Sequence, residues 1–146
     1  MKTITSLIFV FVLGFTSFSQ NALKSEDLSG DWNSILNQDG IEILIKKTTC
    51  QVEGVDKLFT YGFVKVINST NKHKEIQFRV ELTFTDGCTG CDNPNEDIKT
   101  VTIKPNSSIE TECSSMDNSL SFLINNPFQL DHKELVEVLL NEFKTL

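Results

Sequence analysis

The chain has 146 residues, with 20 acidic and 13 basic side chains and a formal net charge of −7 at neutral pH. This length is enough for one domain with its own hydrophobic core, so neither a metal nor a disulfide is required merely for folding. An acidic balance without basic clusters argues against nucleic acid or an anionic membrane as the partner.

The N-terminal segment has the features of a secretory signal peptide. Lys2 gives a positive start, residues 7–15 are almost wholly apolar, and residues 17–19 (Ser-Phe-Ser) fit the small-x-small cleavage rule. The apolar run is too short to span a bilayer, and no cysteine lies near the cleavage point to carry a lipid. We therefore predict a signal peptide at residues 1–19, a mature chain that begins near Gln20, no membrane anchor, and a periplasmic or secreted location.

Residues 20–39 are interpreted as an N-terminal arm, and residues 40–146 as the folded domain. The arm is polar and carries Ser-Gly and Asp-Gly turn signals on either side of Trp32. An exposed aromatic side chain can bind sugars, but a single tryptophan without aromatic neighbours in the sequence favours docking on the edge of the core. We expect Trp32 to be docked in this way.

Strict alternation of apolar and polar residues predicts the strands of the domain. The first runs from Ile41 toward Cys50, with isoleucine at every second position. The clearest one covers residues 76–85, where Phe78 lies in the middle of the apolar row and Arg79 in the polar row. This period of two is typical of a strand with one face in the core and the other in water. Arg79 is therefore expected to be solvated.

The segment from Leu58 to Cys91 is predicted to be one long β-hairpin followed by a paired cysteine motif. Residues 58–68 are apolar on both sides of the pleat, which favours a strand covered on both faces, with Gly62 as a bulge. Residues 68–73 then supply the asparagine and serine that turns require.

Two more strands are expected downstream. Residues 98–104 form a short strand with Val101 and Ile103 inward, which Pro105 ends because proline cannot donate to the ladder. Residues 106–118 are predicted to be a loop, and the period of two resumes over residues 120–124.

The tail fits two interpretations. Residues 131–134 resemble a helix capping box, and the residues after them fall imperfectly on one helical stripe. Val136, Val138 and Leu140 alternate equally well as a closing strand, which we favour. The whole pattern predicts an all-β fold, an immunoglobulin-like antiparallel β-sandwich of about six or seven strands, with a C-terminal helix as the alternative to the last strand.

The chain has four cysteines: Cys50, Cys88, Cys91 and Cys113. An even number in an exported chain predicts two disulfides, for which three pairings are possible. A local Cys88–Cys91 bond would leave Cys50–Cys113, which would close a long loop and stabilise the fold.

Two other uses of the cysteines stay open. The Cys-x-x-Cys motif occurs in thiol–disulfide oxidoreductases, but here it follows a strand and has Asp86 and Asp92 nearby, which oppose thiolate formation. A zinc site would normally need a second close pair, and Cys50 and Cys113 are single.

Other candidate sites are weaker. The oxygen-rich loop from Asp86 to Asp97 could hold calcium, although its spacing does not match an EF-hand. His73 and His132 lie in no nucleophile or metal pattern, and the sequons at Asn68 and Asn106 are interpreted as turns. No catalytic residue, metal or cofactor is assigned, so the chain is expected not to be an enzyme.

A set of structural motifs resembles a known group of proteins. The resembling segments are residues 63–71, 104–113, 120–124 and 138–143, within a span of about residues 40–146. They are similar to a diffuse group of small, uncharacterised secreted proteins of Gram-negative bacteria with immunoglobulin-like β-sandwiches. The resemblance implies that fold and a Cys50–Cys113 bond, with the other two cysteines as a loop elaboration. It implies no activity.

The functional hypothesis is therefore an exported, non-enzymatic β-sandwich domain that acts as a binding or structural module for an unknown protein or glycan. The alternative is a thiol–disulfide redox-active or redox-sensing domain that uses Cys88 and Cys91. The pairing predicted for both hypotheses is Cys50–Cys113 and Cys88–Cys91, and the two differ in whether the second pair can be reduced.

Overall fold

The computed structural model describes residues 21–91, 97–128 and 133–146. These residues contain ten strands and a single 3-10 turn (Asn118–Leu120). The strands, in chain order, are β1 (Ala22–Lys24), β2 (Asn33–Gln38), β3 (Ile41–Gln51), β4 (Leu58–Asn68), β5 (Lys74–Phe84), β6 (Gly87–Thr89), β7 (Ile98–Ile103), β8 (Ser107–Glu110), β9 (Ser121–Asn125) and β10 (Leu135–Thr145). The predicted signal peptide lies outside the described residues.

The strands form two antiparallel sheets of five. In sheet A, β1 pairs with β10 and β10 with β5, while β6 and β7 both pair with β5. In sheet B, β2 pairs with β3 and β3 with β4, while β8 and β9 both pair with β4. The predicted all-β sandwich is confirmed, and the described chain has more strands than the six or seven expected because several are very short.

The core lies between the sheets and is built from every second residue of their strands. Sheet B contributes the isoleucines of β3 and two valines of β4, and sheet A contributes the apolar row of β5 and part of β10. The residues with no exposed surface in this core are Ile41, Ile43, Ile45, Val64, Val66, Ile76, Phe78, Ile103 and Val138. Burial of this much apolar surface is the main term that stabilises such a fold.

The two central strands, β4 and β5, do not form the predicted hairpin. Both strands are present, but β4 lies in sheet B and β5 in sheet A, so the connection between them crosses from one sheet to the other. β4 instead pairs along its whole length with β3, from Asn68 opposite Ile41 to Leu58 opposite Gln51. A turn-rich connection fits both arrangements, and the local sequence does not distinguish them.

The crossing between the sheets is held by the side chain of Asn68, which is fully buried. Its amide nitrogen donates to the carbonyl oxygens of Lys72 at 2.8 Å and Lys104 at 3.0 Å. Its amide oxygen accepts from the backbone N–H and the hydroxyl of Thr70. A buried amide with all of these bonds is a structural residue, which agrees with interpreting this sequon as a turn.

Gly62 is not a bulge, because its register with β3 is continuous at Lys47. A side chain at this position would meet the ring of Phe122, whose nearest atom lies 2.1 Å from where a Cβ would be placed. Glycine is required here for the close approach of an aromatic ring from β9.

The segment interpreted as an arm belongs to the sandwich. Residues 22–24 pair with β10 at the edge of sheet A, and residues 33–38 pair with β3 at the edge of sheet B. Leu28, Ile35 and Leu36 are buried in the core. This segment is polar on average, so its few core residues do not stand out in the sequence.

The C-terminal strand is present, as favoured, and spans Leu135–Thr145, while residues 131–132 of the possible capping box lie outside the described residues. The strand with Val101 and Ile103 inward is also confirmed. The loop expected over residues 106–118 contains the additional strand β8, which pairs with the end of β4.

Lys99 ties the two sheets together near one end of the sandwich. Its ammonium donates to the carbonyl oxygen of Asn118 at 2.7 Å, in the 3-10 turn, and to that of Ser121 at 3.1 Å, where β9 begins. Burial lowers the pKa of Lys99, and the carboxylates of Asp97 and Asp117 oppose that shift. These two hydrogen bonds link β7 of sheet A to sheet B.

Candidate functional site

The cysteines come together as two separate pairs. Cys50 and Cys113 have a Cα–Cα separation of 5.5 Å, and Cys88 and Cys91 one of 5.8 Å, both within the range for disulfides. This is the pairing that was expected. Cys50 belongs to sheet B and Cys88 to sheet A, so the four sulfurs do not converge on the zinc site that was considered.

The Cys50–Cys113 pair fastens a loop to the outer face of sheet B. Cys50 is only 2% exposed, on β3, whereas Cys113 lies in the loop between β8 and β9. The two residues are 63 positions apart, so their bond restricts a long segment of the unfolded chain.

We expect the long-range bond to stabilise the fold more than the local one. Removal of it by Cys50→Ala with Cys113→Ala should cost about 4 kcal/mol by the loop-entropy relation, and removal of the local one by Cys88→Ser with Cys91→Ser roughly 2 kcal/mol or less. Thermal unfolding of both variants measures the difference. Equal losses of melting temperature would contradict the structural role assigned to Cys50–Cys113.

The Cys88–Cys91 pair forms a small exposed ring at the end of β6. Gly90 has a φ of +84°, a conformation that favours glycine, and it lies against the backbone carbonyl of Val80 on β5. The ring therefore lies beside β5, where it continues from β6. There the sulfur of Cys91 lies 3.9 Å from a carboxylate oxygen of Glu81.

Beneath this ring is a buried group of charges that was expected to be solvated. Arg79 is 7% exposed and Glu81 is 8% exposed, and the two side chains pair directly. Glu142 lies 3.7 Å from the same guanidinium. The prediction that this face of β5 faces water is therefore wrong at Arg79 and Glu81.

Glu142 reaches Arg79 because β10 is bulged at this position. The register advances from Asn141 opposite Arg79 to Lys144 opposite Gln77, so β10 has one extra residue here. Glu142 itself adopts a φ of +53°. A bulge re-aims the side chain next to it, and here it brings a second carboxylate to a buried cation.

This electrostatic arrangement disfavours thiol chemistry at Cys91. One carboxylate oxygen of Glu81 lies 3.9 Å from its sulfur, and the other oxygen is paired with the guanidinium of Arg79. A negative neighbour opposes thiolate formation, and the thiolate is the reactive species. Glu81 thus adds to the acidic environment that Asp86 and Asp92 indicate in the sequence, and its proximity to Cys91 was not predicted.

The outer face of sheet B carries a row of aromatic rings. Phe59, Tyr61 and Phe63 occupy alternate positions of β4, and their neighbouring ring centroids are 6.3 Å and 6.2 Å apart. Phe128 extends the row, with its ring 5.9 Å from that of Phe59. We call these four residues the aromatic row. Phe63 is buried at one end, whereas Phe128 is 57% exposed at the other.

Polar and aliphatic groups border the exposed part of the aromatic row. The ammonium of Lys57 lies 4.6 Å from the centre of the Phe128 ring and donates to the carbonyl oxygen of Pro127. Tyr61 lies between Leu123 of β9, which is 41% exposed, and Thr48 of β3, which pairs with Tyr61 on its other side. The result is an apolar strip with hydroxyl and ammonium groups along its edges.

Trp32 is half-buried, but it lies on this outer face of sheet B and not at the edge of the core where it was expected. The ammonium groups of Lys46 and Lys65 lie 4.4 Å and 5.6 Å from its ring centre. Lys65 is also paired with Glu110 at 3.0 Å, and Lys46 lies opposite Phe63 in the sheet. The sequence gives Trp32 no aromatic neighbours, but the fold places it next to the aromatic row.

The remaining candidates do not form a site among the described residues. No group of three or more histidine, cysteine or acidic side chains in that part of the chain is placed to hold a metal ion. Residues 92–96 of the possible calcium loop, and His132, lie outside it, and His73 is exposed in the connection between the sheets.

Comparisons with protein-family models, with curated proteins and with solved structures found no match. Within residues 21–91, 97–128 and 133–146, no helix is long and apolar enough to cross a membrane. Function must therefore be inferred from the surfaces and pairs described above, of which the aromatic row is the most developed.

Proposed function

We propose that this chain is an exported, non-enzymatic β-sandwich domain that binds an extended glycan chain on the aromatic row of sheet B. The observation that supports it is a line of rings about 6 Å apart, which runs from the buried Phe63 through the half-buried Tyr61 and Phe59 of β4 to the exposed Phe128. Two cysteine pairs at disulfide distance fit an oxidising compartment.

The chemistry of the strip suits sugars. One face of a sugar ring presents C–H groups that pack on an aromatic ring, while its edges present hydroxyls that need hydrogen-bond partners. Tyr61 and Thr48 provide hydroxyls beside the rings, and Lys57 provides an ammonium. A rigid sheet holds these groups at fixed positions, so little conformational entropy is lost on binding.

Binding of the mature chain, residues 20–146, to an array of neutral and acidic polysaccharides tests this proposal. We expect a subset of chains to bind, and we expect Phe59→Ala or Tyr61→Ala to weaken that binding about tenfold, or ~1.4 kcal/mol. The loss reflects the removal of a stacking surface.

Leu123 and Ile98 offer a matched control, because each is 41% exposed and they lie on sheets B and A respectively. Leu123→Ala should weaken glycan binding, and Ile98→Ala should leave it unchanged. The proposal fails if no glycan binds, or if both substitutions have the same effect. Binding of a protein through the same rings, without any glycan, would make the domain a protein-binding module instead.

The alternative function is thiol–disulfide exchange at Cys88 and Cys91. The small exposed ring favours it, but the carboxylate of Glu81 beside Cys91 opposes it. We expect this pair to stay oxidised during titration with glutathione over the range of catalytic dithiols, roughly −120 to −270 mV. If it were reduced and reoxidised in that range while Cys50–Cys113 stayed intact, the redox function would replace the binding function.

A further inference from the structure

A separate cleft opens between the two sheets at one end of the sandwich. Its volume is about 450 Å³, which is within the usual range for small-molecule sites. Residues of both sheets form its walls: Ser25, Lys47, Thr48, Thr49, Thr60, Ile124 and Leu135. It is distinct from the aromatic row, which lies on the outer face of sheet B.

The cleft exists because the inward-facing residues of β3 change from apolar to polar along the strand. Ile41, Ile43 and Ile45 fill the core, and the next inward positions are Lys47 and Thr49. On β4 they lie opposite Gly62 and Thr60, which are small. At this end, large apolar side chains therefore do not fill the space between the sheets.

Lys47 lines this opening and is the basic residue of the inward row of β3. It is half-buried, its backbone N–H donates to the carbonyl oxygen of Ser29, and no carboxylate of the described residues lies within ion-pair distance of its ammonium. A partly buried cation without an anionic partner favours the binding of an anion from solution.

The other walls indicate what kind of anion fits. The hydroxyls of Ser25, Thr49 and Thr60 can donate to a carboxylate bound at Lys47. Ile124 and Leu135 provide an apolar surface deeper between the sheets, where Leu135 is buried and Ile124 packs against the core. An apolar tail can rest there.

We propose that this cleft binds a small carboxylate with a short apolar tail, with its head at Lys47 and its tail against Ile124 and Leu135. The ligand bridges the sheets at the end where the core is open. Its binding does not depend on the glycan-binding face, so either proposal can fail without the other.

Isothermal titration of the mature chain with octanoate tests this site. We expect saturable binding with one molecule per chain, at least tenfold weaker binding of 1-octanol, and at least tenfold weaker octanoate binding to Lys47→Met. Lys46→Met, at the neighbouring position on the outer face, should bind octanoate as the unchanged protein does.

A second variant separates loss of the site from loss of the fold. Thr60→Val keeps the shape of the side chain but removes its hydroxyl, and it should weaken octanoate binding severalfold while the melting temperature stays within a few degrees. The proposal is overturned if octanoate does not saturate, if octanol binds equally well, or if Lys46→Met and Lys47→Met have the same effect.

Discussion

Replacement of Phe78 by aspartate is expected to abolish the folded state. Phe78 has no exposed surface and lies in the middle of the inward row of β5, the strand at the centre of sheet A. The substitution removes a large core side chain and buries a carboxylate without a partner, a combined cost comparable with the whole stability of a domain, about 5–15 kcal/mol. Residues 20–146 with this substitution should show no cooperative thermal transition by circular dichroism.

Gln77→Asp is the matched control for this experiment. Gln77 is the preceding residue, its side chain points away from the core, and its amide donates to the hydroxyl of Thr100 at 3.3 Å. Its substitution should cost no more than about 1 kcal/mol. Similar unfolding of both variants would show that the inward and outward faces of β5 are assigned wrongly.

Arg79→Met is expected to destabilise the domain by about 3–5 kcal/mol. This is a large loss for a residue in the polar row of β5, where side chains normally face water. The substitution leaves Glu81 and Glu142 close together and without the guanidinium between them, and Glu81 is almost fully buried. Removal of one member of a buried ion group is costly because the remaining charge is left without compensation. Chemical denaturation measures the loss of free energy.

The double variant Arg79→Met with Glu81→Leu tests the reason for that loss. If the cost arises from an uncompensated carboxylate, the double variant should recover most of it. Lys65→Met breaks the more exposed pair with Glu110 and should cost less than about 1 kcal/mol. A double variant no more stable than Arg79→Met alone would mean that Arg79 acts by packing and not by charge.

Six of the ten described strands were predicted from the sequence, whereas β1, β2, β6 and β8 and the partners of the strands were not. Alternation over residues 41–46, 76–85 and 98–104 is a local property and identifies the strand and its inward face. Whether β4 and β5 pair with each other or face each other across a core depends on contacts between distant residues. Both arrangements place the same side chains inward.

The burial of Arg79 and Glu81 could not be predicted from alternation, because polar residues in a strand normally face water. Here Cys91 of the small ring contacts Glu81, and a bulge at Glu142 brings a second carboxylate to Arg79. Each of these features depends on a different segment of the chain.

The aromatic row was partly visible, because residues 59, 61 and 63 alternate in the sequence. Its fourth member comes from the loop that carries Phe128, and Trp32 lies next to the row across Lys46. No spacing rule links these positions, so only the fold identifies them as one surface.

In both sheets, one side of the central strand is paired with two short strands instead of one long strand. On β4, β8 pairs with residues 65–68 and β9 with residues 60–63; on β5, β7 pairs with residues 74–79 and β6 with residues 82–84. In each case a loop that carries a bridged cysteine leaves the sheet at the break.

This arrangement has a consequence for self-association. A long flat strand at the edge of a sheet can act as a template on which another copy adds its own strand, and continued addition leads to aggregation. Here the outermost strands next to β4 and β5 are short pieces of three to six residues, separated by bridged loops. Two copies of the chain therefore find no continuous backbone ladder on this side through which their sheets could join.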